Sequence, residues 1–530
     1  MIGILSFVGF TALVAIISYF ATRTTDEGTS DGYFLGGRSL TAGVIAGSIL
    51  LTNLSTEQIV GLNGQAFSEG ILVMAWETLA AIAIVITALF LLPRYLKGGL
   101  TTVPQFLERR FDKGTKTIVS ALFLSGYVVI LLPIVLYSGG LAISTMFDVP
   151  HLLGVGNTAA LWICIWAIGI IGSIYAIFGG LKAVAVSDTI NALGLLVGGL
   201  FIPVFGLMAI GDGSILGGLQ TLITEHPDKF NSIGGPGASV PFSTIFTGMM
   251  LVQLFYWGTN QAIIQRALGA KSLKEGQKGL MLAAFIKILG PIIVVLPGVI
   301  AFQMFHGQLE NADKAYPMLV NAVLPKPLVG FFAAVLFGAI LSSFNSALNS
   351  SVTLFGIDIY KQYFNHEASE KQVVQKGKLF GVFLAFLSMF IAPLIANAPN
   401  GLFGYLQEVN GCYSIPILTI VVVGYLTKKV PAIAAKLAIF SGVGLYLVYL
   451  GLKYFVFGAD NVPHYLHIMA IIFVINIALM LLIGKFKPRA EAYTDNYTKQ
   501  VDITTWKYAA PIGIVICLIV IGVYTYFAQF

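Results

Sequence analysis

A lysine stands at position 287 inside LMLAAFIKILGPIIVVLPGVIAF (280–302), a run with no other charge. An ammonium at membrane depth costs a few kcal/mol, so it needs a partner or a water-lined cavity and is read first as a functional residue. Glu77 in GILVMAWETLAAIAIV and Asp188 in GGLKAVAVSDTINALG require the same account. Glu77 and Lys287 can form an ion pair that holds helices together, which is costly unless fully hydrogen-bonded. Alternatively each offers hydrogen bonds to a polyhydroxylated solute, beside Gln58, Gln253 and Gln407. Glu57, next to Gln58, is expected near the outer half of its segment, in solvent.

A second set of residues suits a cation. AILSSFNSALNSS (339–351) puts Ser342, Ser343 and Ser346 on adjacent turns of one helix. Hydroxyl and carbonyl oxygens fit a hard monovalent ion such as sodium; the same serines could serve only as small packing residues. Trp76, Phe255, Tyr256, Trp257 and Phe403 flank the polar positions, where aromatic rings can stack on a solute, gate it, or simply face lipid. Cys164, Cys412 and Cys517 all fall in apolar runs, and no metal-ligand spacing or nucleophile and base pair stands out. An enzyme is therefore not expected.

The elements that must hold these residues are apolar spans. Of the 530 residues 57% are hydrophobic and 10% charged, with a mean hydropathy of +0.87, against about 25% charged in a soluble domain. Runs of about 20 residues, enough to span a bilayer, occur near 2–21, 41–62, 70–92, 117–147, 158–178, 186–211, 242–264, 279–304, 328–356, 379–397, 402–427, 431–452, 464–484 and 509–529. Fourteen such spans predict an all-α polytopic membrane protein. With the N-terminus outside, twenty-five of the thirty Lys and Arg fall in inward loops and only Lys229, Lys314, Lys326 and Lys453 outside, as the positive-inside tendency requires. Both termini should then face outward. Arg23 follows the first run, the order of a retained helix rather than a cleaved signal. The net charge of +6 belongs to these loops and calls for no nucleic acid. Nothing in the sequence requires a protein partner. Short loops, and the lack of a glycosylation triplet on any outward loop (Asn496-Tyr497-Thr498 is inward), fit a bacterial inner membrane.

Two spans are poor continuous helices. AGSILLTNLSTEQIVGLNG (46–64) and FTGMMLVQLFYWGTNQAIIQR (246–266) carry clustered polar residues in mid-run, five spans apart. Interruptions at matching positions of two halves point to an inverted-repeat transporter with its site where both helices break. The expected divisions are an extra helix and loop at 1–40, repeats at 41–211 and 242–427 around an outer loop at 212–241, and three added helices at 428–530. The polar loops at 213–241 and 305–327 have room for short helices.

DGYFLGGRSL (31–40), LLTNLSTEQIVG (50–61), IFGGLKAVAVSDTIN (177–191), YWGTNQAIIQRALGAKS (256–272), AAFIKILGPIIVVLPG (283–298), AILSSFNSALNSS (339–351) and YLQEVNG (405–411) together resemble the sodium/solute symporter family, and within it the sodium/glucose and sodium/galactose cotransporters. The resemblance runs in order over nearly the whole chain and implies a LeuT-like core of two inverted five-helix repeats. It implies that Gln58, Glu77, Gln253, Lys287 and Gln407 hydrogen-bond a sugar, with Asn53 close by. Tyr256 would cap the sugar from inside, and Leu62, Trp76 and Phe403 from outside. Sodium would be held by the carbonyls of Leu51, Leu54 and Ala339 and the hydroxyls of Ser342 and Ser343, with Asp188 on its exit route. Ala80 stands where galactose-transporting relatives have serine, and Gln253 where they have asparagine, which leaves the preferred sugar open. Asn345 stands where members with a second sodium site have serine, which leaves the ion count open. The competing readings are a symporter of another polar solute, such as inositol or a carboxylate like sialic acid, and a sugar sensor or channel on the same fold.

Overall fold

The computed structural model describes residues 2–22, 29–309, 312–397, 402–458, 461–495 and 497–530; Arg23 and Asn496 lie outside them. Among the described residues the regular structure is helical, apart from isolated bridges of Leu40 with Ala270 and of Ser272 with Asp502. Among the described residues eleven helical segments are long and apolar enough to cross a membrane, two of them, Asn157–Ala176 and Leu181–Ile210, within one helix, and the chain is a multi-pass membrane protein. The other three expected spans fall on Ile2–Thr22 and on two interrupted helices. The loop expected at Lys182 is instead helical backbone, running from Asn157 to Ile210, and no proline occurs near Lys182 to stop it.

Apolar residues cover the outside, as lipid requires. Phe440, Val474, Leu482, Leu518 and Ile521 of Ala432–Leu452, Tyr465–Phe486 and Ala509–Phe527 are exposed. The buried polar side chains gather instead on the interrupted helices and their neighbours, among them Ser48, Asn53, Gln58, Glu77, Gln253 and Asn260. Polar groups at this depth have no water to bond and must pair with one another.

The first interrupted helix has halves Ala42–Asn53 and Thr56–Glu69. Thr52, Asn53, Ser55 and Thr56 crowd the junction with side chains that compete for backbone bonds, and Leu54 leaves the helical region at φ −76°, ψ 54°. The second has halves Met250–Gly258 and Gln261–Leu268. There Gly258 and Thr259 end the first half, and the Asn260 side chain caps the next, accepting from Ala262 N at 3.0 Å.

Around these breaks pack three long helices: Ile71–Lys97, Leu273–Phe305 (the lysine helix), and Lys326–Thr353 (the serine helix). The long helix Asn157–Ile210 lies against both the serine helix and Ala42–Asn53. The polar loops do hold short helices, Ile215–Glu225 and Ala315–Val323.

On the face that carries the basic loops, the segment between Phe486 and Ala509 forms a strap. Its Arg489 amide donates to the Lys429 carbonyl at 2.8 Å and its Thr498 amide to the Lys97 carbonyl at 3.0 Å. The Arg489 guanidinium donates to the Arg110 carbonyl at 2.9 Å, and the Leu273 amide donates to the Asp502 carbonyl of the strap at 2.8 Å. One segment thus adds a further tie between the ends of four helices.

Candidate functional site

Breaking a helix frees backbone groups. The last carbonyls of Ala42–Asn53, Leu51 among them, lose their helical partners, and the nearest atoms able to answer are side chains of the serine helix. Ser343 Oγ donates to the Thr52 carbonyl at 2.9 Å, while the Thr52 hydroxyl lies 3.4 Å from Ser342 Oγ and 3.1 Å from Ser346 Oγ. Leu51, Leu54 and Ala339 are buried in the same apolar cluster. A freed carbonyl of the first break and hydroxyls of two helices therefore meet at one junction, oxygen donors of the type that suits a hard cation. The second break is closed by tyrosines: Tyr95 donates to the Gly258 carbonyl at 3.0 Å, and Tyr127 to Asn260 Oδ1 at 2.8 Å.

On the other side of the first break the ionisable residues meet. Lys287 Nζ donates to Glu77 Oε2 at 2.5 Å and also to Asn53 Oδ1. It lies 5.5 Å from the centre of the Trp257 ring, within cation–π range. Gln58 Nε2 donates to the other carboxylate oxygen of Glu77 at 2.6 Å. Lys287 is 1% exposed and Glu77 fully buried. The pair is thus charge-compensated and hydrogen-bonded on every side, the condition under which a buried ion pair is tolerable. A Cβ at Gly290 would strike the Glu77 carboxylate, so that glycine lets the lysine helix approach.

Gln253 stands at the edge of this cluster. Its amide nitrogen donates to the Trp76 carbonyl at 2.8 Å, and its oxygen accepts from Trp257 Nε1 at 3.0 Å. Above it Trp76 meets Phe403 edge to face, centroids 5.3 Å apart, and Phe403 rests on the backbone at Gly61, where a Cβ would lie 2.6 Å from it. Leu62 is fully buried beside them. Gln407, one turn beyond Phe403, is half-buried. Tyr256 packs edge to face on Trp257, centroids 5.2 Å apart, beside Asn53. The structure thus brings Asn53, Gln58, Glu77 and Lys287 into one hydrogen-bonded cluster and Thr52 against Ser342, Ser343 and Ser346, while Gln407 and Asp188 belong to neither set.

Two expectations about charge fail. Arg266, assigned to a solvated inward loop, is fully buried: the half helix Gln261–Leu268 packs against Ala42–Asn53 and the serine helix, so its end is not in solvent. Its guanidinium donates to Ser48 Oγ at 3.3 Å and to Ser346 Oγ and lies 4.0 Å from Asp188, which accepts from Ser48 Oγ at 2.7 Å. Asp188 therefore has a fixed cationic partner. Glu57, expected in solvent, is 6% exposed because Thr56–Glu69 starts inside the bundle. Tyr95 and Tyr127 were not singled out; a lone tyrosine in an apolar run gives no sign of which freed carbonyl or cap it will meet.

The profile of the sodium:solute symporter family matches residues 33–442. The chain is 49% identical over 527 residues to the uncharacterized symporter YidK of Escherichia coli (strain K12), covering 99% of this chain and 91% of that protein. It is 32% identical over 472 residues to a sodium/glucose cotransporter of Vibrio parahaemolyticus, covering 83% of this chain and 84% of the other. A solved sodium-coupled sialic acid symporter, substrate-bound and outward-open, matches with a TM-score of 0.77 at 19% identity over 93% of this chain and 99% of its own, which establishes the LeuT-like inverted-repeat fold. These are transporters and not enzymes, and the chain belongs to the sodium:solute symporter family.

Proposed function

We propose that the chain imports a monosaccharide of the galactose or glucose type together with sodium, by alternating access across a bacterial inner membrane, with both termini outside. The observation that carries this reading is the neutral cluster of Lys287, Glu77, Gln58 and Asn53 at the first break. Sugar hydroxyls both donate and accept, so they can replace each of these bonds as they enter. A carboxylate solute would have to pull Lys287 from Glu77 and leave a buried carboxylate unpaired, at about 3–5 kcal/mol. The compensated pair therefore favours an uncharged polyol.

In this reading Gln58, Glu77, Gln253, Lys287, Gln407 and Asn53 bind the sugar. Leu62, Trp76 and Phe403 close over it from outside, and Tyr256 closes it from inside. Sodium sits between the Leu51, Leu54 and Ala339 carbonyls and the Ser342 and Ser343 hydroxyls, tying the first break to the serine helix. Coupling requires only that sugar and ion together favour the closing transition. On release, sodium passes Asp188. The repeats at 41–211 and 242–427 rock against each other around the fixed site, the behaviour of inverted-repeat carriers, while 1–40, 212–241 and 428–530 surround them.

The deciding experiment is uptake of labelled glucose and galactose into proteoliposomes, with and without an inward sodium gradient, for wild type and Lys287→Ala. Sodium-dependent accumulation lost in the variant supports the reading. Failure to accumulate either sugar, with accumulation of inositol or sialic acid instead, would replace the sugar by that solute; binding without accumulation would point to a sensor.

A further inference from the structure

A cavity of about 240 Å³ lies between the helix Ile2–Thr22, the long helix Asn157–Ile210 and the serine helix. Its walls are largely apolar, with Val14, Phe337 and Leu341 beside Ile171 and Ile174. The last two are 47% and 57% exposed on an apolar span, so the cavity lies next to the lipid. Its volume equals roughly eight liquid waters at about 30 Å³ each, room for a medium-chain alcohol and too little for a whole phospholipid.

Several polar groups reach the same space. Among the described residues Thr11 Oγ1 is buried with no hydrogen-bond partner, an expensive state for a hydroxyl in an apolar wall. Asn191 also lines the cavity, pressed so closely on Gly338 that any Cβ there would strike its amide. Ser187 lines it too, its hydroxyl already donating to the Val184 carbonyl at 2.9 Å. Among the described residues no charged side chain lines the cavity, so an ionic headgroup would be buried without a partner. An apolar body with one uncharged hydroxyl meets every condition.

The inner wall is Ser342, whose hydroxyl lies 3.4 Å from that of Thr52 at the first break. Ser187 is the chain neighbour of Asp188, which accepts from Ser48 at the first interrupted helix. The cavity thus backs directly onto the hydroxyls and carbonyls read as the sodium site.

We propose that this cavity binds an uncharged, single-headed amphiphile of the fatty-alcohol type, taken from the bilayer, and that its occupancy alters sodium affinity through Ser342. The second half of this inference rests on the sodium reading above; the first does not.

The test uses octanol carrying a diazirine on its chain, photolysed with the full-length protein in proteoliposomes and mapped by mass spectrometry. Adducts are expected around Thr11 and Tyr175, saturable, displaced by excess octanol, and reduced at least fivefold in Ala15→Phe and Ile174→Trp, which fill the cavity from two different helices. Plain octanol should shift the half-saturating sodium concentration of uptake at least threefold in wild type and leave it unmoved in both variants. Labelling that rises linearly with probe and spreads evenly over the lipid-facing helices, with both variants monodisperse and labelled as wild type, would overturn the site. Saturable labelling with an unchanged sodium dependence would overturn the link to Ser342 alone. A sodium dependence unmoved by Ser343→Ala, with labelling intact, would instead count against the sodium reading.

Discussion

Lys287 bonds Glu77 and Asn53 and faces the Trp257 ring, so truncating it does two things at once. It removes a donor from the proposed sugar site and strands Glu77 as a buried charge, at about 3–5 kcal/mol. Lys287→Ala should therefore abolish sugar uptake and lower the thermal midpoint in detergent, while sodium binding stays measurable; normal galactose or glucose uptake would remove Lys287 from the site. Gly290→Ala makes a gentler test, since the added methyl collides with the Glu77 carboxylate without deleting any polar group. It should raise the half-saturating sugar concentration about tenfold, equal to about 1.4 kcal/mol, with little change in the sodium dependence. Much at this scale is readable in the sequence, because a charge inside an apolar run has few explanations, and a pairing of Lys287 with Glu77 is one of the two it allows. What the sequence hides is that Gln58 and Asn53 complete the pair.

At the level of the helices, the two breaks were legible from clustered polar residues five spans apart, and the structure breaks the chain at Leu54 and at Thr259. Their closure was not. Tyr95 and Tyr127 come from helices remote in sequence, and Arg266 sits at a span end, where a basic residue is ordinarily solvated. Only the packing of the half helix Gln261–Leu268 under its neighbours puts Arg266 beside Asp188. Arg266→Ala should leave Asp188 without its cation and reduce the yield of folded protein, measured by fluorescence-detected size exclusion; Arg266→Lys should recover part of it, since one ammonium cannot reach Ser48, Ser346 and Ala262 together as the guanidinium does. Ser343 joins the serine helix to the first break through the Thr52 carbonyl. Ser343→Ala is expected to raise the half-saturating sodium concentration of uptake about tenfold, or about 1.4 kcal/mol; an unchanged sodium dependence would move the ion elsewhere.

For the molecule as a whole, each sodium crossing 100 mV supplies about 2.3 kcal/mol beyond its concentration term. One ion per cycle thus supports about a fiftyfold solute gradient at that potential, and two ions the square of it. Reversal potentials in proteoliposomes at graded solute ratios will give the number, with a slope matching one ion expected if Arg266 already fills the cationic role beside Asp188. The strap between Phe486 and Ala509 bears on how such a carrier is made. It follows in chain order nearly every helix it ties: those ending at Lys97 and Arg110, the one that starts at Leu273, and the turn at Lys428 and Lys429. During synthesis the strap's own bonds can form only after residue 500 has been made, so ends already joined to one another, as Arg110 is to Gly424, Thr427 and Val430, receive their last tie from a late stretch of chain.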